Sequence, residues 1–554
     1  RIVYQEVRGL HQAAYVLALF AFGSQLLALV RDRMLAHEFG AGPDLDIYYA
    51  AFRIPDLLYV LFASTLSVYV LIPFVAKARA KGGDEAARHL LSGVFTLFLI
   101  VYTLVALLLF FLAPVILPKL FSGIADQGQL VTVTRVLLLQ PLFLGISSLF
   151  GVITQLGHRF VLYAISPLVY NLGIIFGLAV LYPIFGVTGL AFGVLIGAFA
   201  HMIIQLPLVS NSELACRFIK DIPWRDLVSV LRLSIPRAVT LSFNQIVLLV
   251  LVSFASAMTV GSVSVFQFAY NLQSVPLAII GVSYSVAAFP LLAQLYAQKD
   301  METFKMHIMT ALRHIIFWSV PAVALIIVLR AHAVRVVLGS GAFDWSDTRL
   351  TAAVLAVLSF ALLAQAVNLL IVRSFYAAGY TRTPLLVTLV GGVLAIAGAY
   401  GFHSLYIANG DMQTTVVNFM RLSDVAGSEV LAIAFGYAVA VTIQAILFLV
   451  ALSRTFQFPL GPLFLHFVRC FAAASVGGIA AYATLNFVVV GVNPETFIGI
   501  FIQGFLAAGM GILGIILTYA SLRTPELHEI YSSIEKRIFR TDVVAPQEDV
   551  PSGY

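Results

Sequence analysis

The sequence predicts an all-α polytopic membrane protein of about fourteen transmembrane helices, arranged as two parallel six-helix lobes with two further C-terminal helices. Three observations lead there. First, 61% of the 554 residues are hydrophobic and only 10% are charged, where a soluble domain carries about a quarter charged residues. So few charges cannot cover a soluble chain of this length, and a mean hydropathy of +1.00 agrees. Second, apolar runs of roughly 20 residues, enough to cross a bilayer core as helix, recur along the whole chain. Third, prolines recur at one fixed spacing between the two halves, with a pair of glycines close to it.

Backbone groups in lipid must be satisfied within their own segment, so each apolar run reads as a helix. The first six spans fall at residues 10–30, 47–76, 90–116, 130–153, 160–181 and 187–209. The next six fall at 228–257, 262–293, 306–329, 350–372, 384–402 and 428–452, and the last two at 464–489 and 496–522. Residues 160–212 contain no Asp, Glu, Lys or Arg, and Pro183 with Gly186 marks the turn between two helices there. Orientation follows from the short loops, because Lys and Arg concentrate on the cytoplasmic side. Lys77, Arg79, Lys81, Arg88, Arg217, Lys220, Arg225, Lys299, Lys305 and Arg540 share one side when both termini are cytoplasmic.

The repeat sets the architecture. Pro73 closes Val-Leu-Ile-Pro and Pro290 closes Ala-Ala-Phe-Pro, and their separation equals that between Pro167 and Pro384. Gly42 and Gly261, before the second and eighth helices, pair with a shift of about two residues. A six-helix unit returns the chain to its starting side, so the copies are parallel, and substrate sites lie between such halves. The expected organisation is an N-terminal lobe (1–209), a cytoplasmic linker (210–227), a C-terminal lobe (228–453), two added helices (454–522) and a cytoplasmic tail (523–554). Glu535-Lys536-Arg537 reads as a solvated segment near the membrane surface.

Composition and motifs exclude several functions. The net charge of +6 is not gathered into a basic, aromatic-rich run, so no nucleic-acid partner is expected. Cys216 and Cys470 stand far apart without histidines at ligand spacing, so neither a disulfide framework nor a zinc site is expected. The first apolar stretch ends in Arg31-Asp32-Arg33 rather than at small residues, unlike a cleavable signal. No catalytic constellation and no cofactor motif is visible, and His201 reads as a core histidine bonded to a neighbouring helix.

Charges inside spans are the informative residues, because an arginine at a helix centre costs about 2.5–3.5 kcal/mol on insertion scales unless it faces protein or water. Arg53 lies about two turns inside the second helix and is read as facing a cavity. Arg31 and Asp32 close the first helix, and Asp46 is placed to cap the second. Arg237 sits just inside the seventh helix, while Arg313 and Arg469 near inner ends read as snorkelling.

The segment Ser24-Gln25-Leu26-Leu27-Ala28-Leu29-Val30-Arg31-Asp32, then Phe39-Gly40-Ala41-Gly42, then Asp46 and Ala51-Phe52-Arg53-Ile54-Pro55, resembles the N-terminal signature of the MviN/MurJ family. Phe375-Tyr376-Ala377 with Thr381-Arg382-Thr383-Pro384 is similar to that family's segment between helices ten and eleven. The family belongs to the multidrug/oligosaccharidyl-lipid/polysaccharide exporter superfamily, and its members are regarded as flippases for lipid II, the undecaprenyl-pyrophosphate-linked peptidoglycan precursor. The resemblance implies a bacterial cytoplasmic-membrane protein with a cationic cavity between its lobes and a groove beside the last two helices for a lipid tail. Arg31, Asp46 and Arg53 match the family's charged positions. The chain departs from the family at Gln25, at Tyr59-Val60 and at Tyr270-Asn271-Leu272, where the family carries arginines.

On this resemblance Arg31 and Arg53, with Arg237, are expected to attract a polyprenyl-linked pyrophosphate, and Gln25, Asn271 and Gln273 to offer neutral hydrogen bonds. Asp46 and Asp32 are expected to serve gating. One copy of the chain is expected to act alone, with cell-wall synthesis proteins as possible partners. The alternatives are a flippase for another polyprenyl-linked oligosaccharide, a cation-coupled exporter, and a non-transporting cell-wall scaffold on the same fold.

Overall fold

Three of the helix interruptions in this chain fall at one fixed distance before a proline. Proline has no N–H, and its ring clashes with the carbonyl four residues earlier. Helical segments end at Ala51, Leu137 and Ile203, each four residues before Pro55, Pro141 and Pro207. The computed structural model describes residues 10–157, 160–489, 491–493 and 496–529.

The N-terminal lobe begins with α1 (Leu10–Phe39). α2 (Pro43–Ala51), α3 (Arg53–Thr65) and the start of α4 (Val68–Leu120) form the second crossing, and the rest of α4 forms the third. Gly82 and Gly83 leave helical geometry between those two parts, with Gly83 at φ 68°. α5 (Gln127–Leu137) runs into α6 (Gln140–Leu156), α7 (Phe160–Phe176) into α8 (Tyr182–Phe185), and α9 (Val187–Ile203) into α10 (Leu206–Ser210). In the C-terminal lobe α11 (Trp224–Ser256) is followed by α12 (Ser262–Leu277) with α13 (Ser283–Ala297), then α14 (Met301–Val337), α15 (Trp345–Ala377) and α16 (Arg382–Ala408). A short helix, α17 (Gly410–Met420), precedes α18 (Val430–Phe456), and α19 (Gly461–Ala483) and α20 (Phe497–Ser521) end the bundle.

Among the described residues, 12 stretches are long and apolar enough to cross a membrane. α1 and the broken second crossing complete the fourteen. The second crossing differs from the straight helix expected over 47–76, being interrupted at Phe52 and again at Leu66–Ser67. α1 also differs, because it continues past Arg31 and Asp32 to Phe39. Side-chain partners across the bundle satisfy those charges, so the end of the apolar run does not end the helix. α17 was not expected from hydropathy at all.

Lipid supplies no hydrophobic drive between helices, so close contact rests on small residues. In the uncharged α7–α9 hairpin, a Cβ on Gly177 would lie 2.4 Å from Gly193 Cα, and one on Gly173 2.3 Å from Gly197 Cα. α15 is apolar on all sides and correspondingly buried, forming the centre of the C-terminal lobe. α19 and α20 pack against α14, where Tyr519 stacks on Phe317 at 4.3 Å and donates to its carbonyl. Arg313 is a correction to the snorkelling reading: its Nη2 pairs at 2.7 Å with Glu526, which is 3% exposed just beyond α20. His201 is half-buried and meets the neighbouring helix, with Nδ1 2.6 Å from Ser147 Oγ. The segment around Glu535-Lys536-Arg537 lies outside the described residues.

Candidate functional site

The loops between α1 and α2, α11 and α12, and α14 and α15 share one end of the bundle, called the outer end after the Lys/Arg asymmetry. Starting there and moving inward along the seam between lobes, polar side chains form a continuous ladder. Asp46 accepts from Gly261 N at 2.6 Å, Ser264 N at 2.8 Å and Ser264 Oγ at 2.6 Å. It therefore caps α12 in the opposite lobe rather than its own helix, filling the acceptor role that Gly261, having no side chain, leaves open. Asp347 answers from the C-terminal lobe, accepting Ala41 N at 3.0 Å, and Ala342 N donates to His37 O at 2.8 Å.

About two turns inward, Arg31 and Asp32 meet. Arg31 Nε and Nη2 donate to Asp32 Oδ1 at 3.0 and 2.8 Å, and Nη1 donates to Asn171 Oδ1 at 3.1 Å. Asn171 on α7 is held in turn by Ser24 Oγ and the Pro167 carbonyl. Asn271 on α12 donates to Asp32 Oδ2 at 3.0 Å and accepts from Gln267 at 2.7 Å. Arg53 Nη2 donates to Gln267 Oε1 at 2.9 Å, and its Nε reaches the Tyr49 carbonyl across the break at Phe52. Arg53 is 7% exposed, so the deep arginine faces protein at the seam and does not snorkel.

Burial changes along the seam. One apolar core joins the lobes toward the outer end, combining Leu35, Leu45 and Ile47 with Val263, Phe266 and Phe268. Toward the inner end a separate core lies within the N-terminal lobe and its neighbouring α11 turns, including Leu58, Leu91, Phe98 and Val230. Gln25 is seven residues before Asp32, hence on the same face of α1 about 10 Å further in. Asp32 is buried there, whereas Gln25 is exposed. The seam is packed toward the outer end, and α1 becomes exposed further in.

One expected site residue falls elsewhere. Gln273 points into the C-terminal lobe, where it hydrogen-bonds Gln365, which in turn donates to Tyr437. It lies two residues beyond Asn271, about 200° round the helix, and so leaves the seam face. Arg237 lies within α11, and its side chain is outside the described residues. Sequence reasoning missed Asn171 and Gln267. Both are polar residues inside apolar helices, and that was the available signal. Asp56, one turn after Arg53, was also missed.

A family model described as lipid II flippase MurJ matches residues 35–501, most of the chain. The chain belongs to the MurJ family. A probable lipid II flippase MurJ from Buchnera aphidicola is 26% identical over 84% of this chain and 94% of its own length. The lipid II flippase MurJ of Burkholderia cenocepacia is 23% identical over 70% of this chain and 77% of that protein. Among solved structures, a lipid II flippase MurJ in an inward closed conformation superposes with a TM-score of 0.73 at 21% identity, covering 92% of this chain and 99% of the other. An inward-facing multidrug MATE transporter gives 0.65 at 15% identity, over 78% of this chain and 94% of the other. Both likenesses place the fold among MurJ- and MATE-like transporters. Asn271 meets a carboxylate that Arg31 already neutralises.

Proposed function

We propose that this chain moves lipid II from the inner to the outer leaflet of the bacterial cytoplasmic membrane by alternating access. The observation carrying this reading is the ladder at the seam, where Arg53 is held by two neutral oxygens, those of Tyr49 and Gln267. A diphosphate is a stronger acceptor than either and binds guanidinium through charge-assisted, bidentate bonds. Arg53 can therefore exchange Gln267 for substrate as the lobes part, which couples headgroup binding to movement of α12. Arg31 is committed to Asp32 and becomes available only if that pair opens. Asn271, at the level of Asp32, and Gln25, further in on α1, supply neutral hydrogen-bonding groups along the path. Both lobes belong to one chain, so a single copy provides the whole path, with both termini on the cytoplasmic side.

The test uses purified full-length protein in vesicles loaded with lipid II, reading its arrival in the opposite leaflet. Arg53→Ala is expected to slow flipping about tenfold or more, the loss of one or two charge-assisted bonds. Arg53→Lys keeps the charge without the planar fork and should fall between. Full activity in Arg53→Ala removes the assigned role. Wild-type protein that moves another polyprenyl-linked sugar but not lipid II overturns the substrate.

A further inference from the structure

A cavity of about 460 Å3 opens at the outer end of the seam, beyond the polar ladder. That volume falls in the range of about 300–1,000 Å3 typical of small-molecule sites. One wall is α1, carrying Arg33, His37 and Glu38, and Leu178 and Ala179 line another part of the cavity. Ser340 closes it from the C-terminal lobe. The space has a local cause: Pro183 cannot bond to the Ala179 carbonyl, and the helix widens into a π turn over Gly177–Leu181.

The polar groups are of three kinds. Arg33 is anchored, its Nη1 donating to the Val336 and Val337 carbonyls at 2.7 and 3.2 Å while the guanidinium lies 5.3 Å from the Phe497 ring. Its Nε and Nη2 have no hydrogen-bond partner among the described residues. Ser340 Oγ is buried and likewise unpartnered. Glu38 is exposed at the rim, about 7.5 Å along the helix from Arg33, with no described hydrogen bond or ion pair. Around the mouth, Ile184 and Phe185 follow Pro183, and Phe497 and Ile498 stand by Arg33; all four are more than half exposed.

We propose that this cavity holds the headgroup of an aminophospholipid of the phosphatidylethanolamine type. Arg33 and Ser340 take the phosphate, Glu38 takes the ammonium, and the acyl chains lie on the apolar residues at the mouth. A fixed cation inside and an acid at the rim match a zwitterion. A diphosphate is disfavoured, because the Glu38 carboxylate would face it. The walls come from both lobes, so a bound lipid favours the arrangement closed at this end. Assigning the lipid to the outer leaflet rests on the orientation given under the proposed function, whereas the binding itself does not.

Native mass spectrometry of the full-length protein in detergent tests this, with phosphatidylethanolamine, phosphatidylglycerol and undecaprenyl pyrophosphate as separate probes. Wild type should retain one phosphatidylethanolamine in preference to phosphatidylglycerol, and undecaprenyl pyrophosphate, which the seam at Arg53 can hold, should not displace it. Ala179→Trp fills the cavity and should weaken retention about tenfold or more, and Glu38→Gln should erase the preference over phosphatidylglycerol. Because Ala179→Trp can disturb folding, a second measurement uses the exposed rim position His37→Cys in protein lacking Cys216 and Cys470. Phosphatidylethanolamine vesicles should slow its modification by an impermeant thiol reagent several-fold relative to phosphatidylglycerol vesicles. Equal retention by wild type and Ala179→Trp, equal cysteine reactivity in the two vesicles, or displacement of bound phosphatidylethanolamine by undecaprenyl pyrophosphate overturns the proposal. None of these readouts depends on flipping, so failure of the transport reading leaves them intact.

Discussion

Arg31 and Arg53 carry the same charge but spend it differently. Arg31 gives two bonds to Asp32, while Arg53 bonds only to neutral oxygens. Removing each should therefore fail differently. Arg31→Ala strands Asp32, which is 4% exposed, and is expected to lower the melting temperature, corresponding to about 1–3 kcal/mol. Asp32→Asn in that background removes the stranded charge and should recover most of the loss. A double variant no more stable than Arg31→Ala would show that the pair contributes nothing at this site. The charged signature was legible in the sequence because charges inside apolar runs stand out. Which face each neutral side chain takes was not, since Asn271 and Gln273 look alike until the seam face of α12 is known. Asp46 could be read as a cap from its position before an apolar run, but the helix it caps is more than two hundred residues away.

At the scale of elements, hydropathy located the crossings and missed their breaks. Apolar periodicity is indifferent to a lost N–H, so 47–76 read as one helix although Pro55 stands in it. Pro55, Pro141 and Pro207 accompany the breaks after Ala51, Leu137 and Ile203, whereas Pro73, Pro167, Pro290 and Pro321 stand inside continuous helices, so proline alone does not tell which helix breaks. α17 carried a signal of its own: Asn409 Oδ1 accepts Met412 N, and Met412, Val416, Val417 and Met420 follow helical spacing. The break at Phe52 has a functional consequence that can be tested. Pro55→Ala allows α2 and α3 to join, removing a proline penalty of up to about 3 kcal/mol, so the variant should melt no lower than wild type. It should nonetheless flip lipid more slowly, because a continuous helix turns Arg53 away from Gln267. Unchanged flipping would mean that the break does not set the orientation of Arg53. Packing makes a contrasting prediction at Gly193, where any side chain meets the Gly177 backbone at 2.3 Å. Gly193→Val should sharply reduce the yield of folded protein, whereas Gly461→Ala, which meets nothing within 4 Å, should not.

For the whole molecule, orientation and state are separate questions with separate tests. Cysteines replacing Gly82 and Asp300 should be shielded from impermeant thiol reagents in intact cells, and one replacing Gly410 should react, once Cys216 and Cys470 are removed. The opposite pattern would invert the orientation drawn from Lys and Arg. State depends on contacts that only the folded chain brings together: Asp46 on α12, Asp347 on Ala41, Arg33 on the end of α14 and His37 on Ala342. Asp46 is the strongest of these, since one carboxylate serves two backbone N–H groups and a hydroxyl at the start of a helix. Charge-assisted bonds contribute about 1.5–3 kcal/mol each, reduced by the cost of burying the carboxylate, so losing them should shift the closed–open ratio at this end about tenfold or more. Spin labels at Pro43 and Trp345 span the outer seam and report that ratio as a distance distribution. Asp46→Ala should enlarge the long-distance population, with Asp46→Asn, which keeps one acceptor oxygen, intermediate between it and wild type. Reversal on adding lipid II to the cytoplasm-facing side is not expected, because Asp46 acts on the lobes and not on the headgroup. If Asp46→Ala leaves the distribution unchanged while Asp347→Ala broadens it, closure rests on the α1–α2 turn, and Asp46 serves only to end α12.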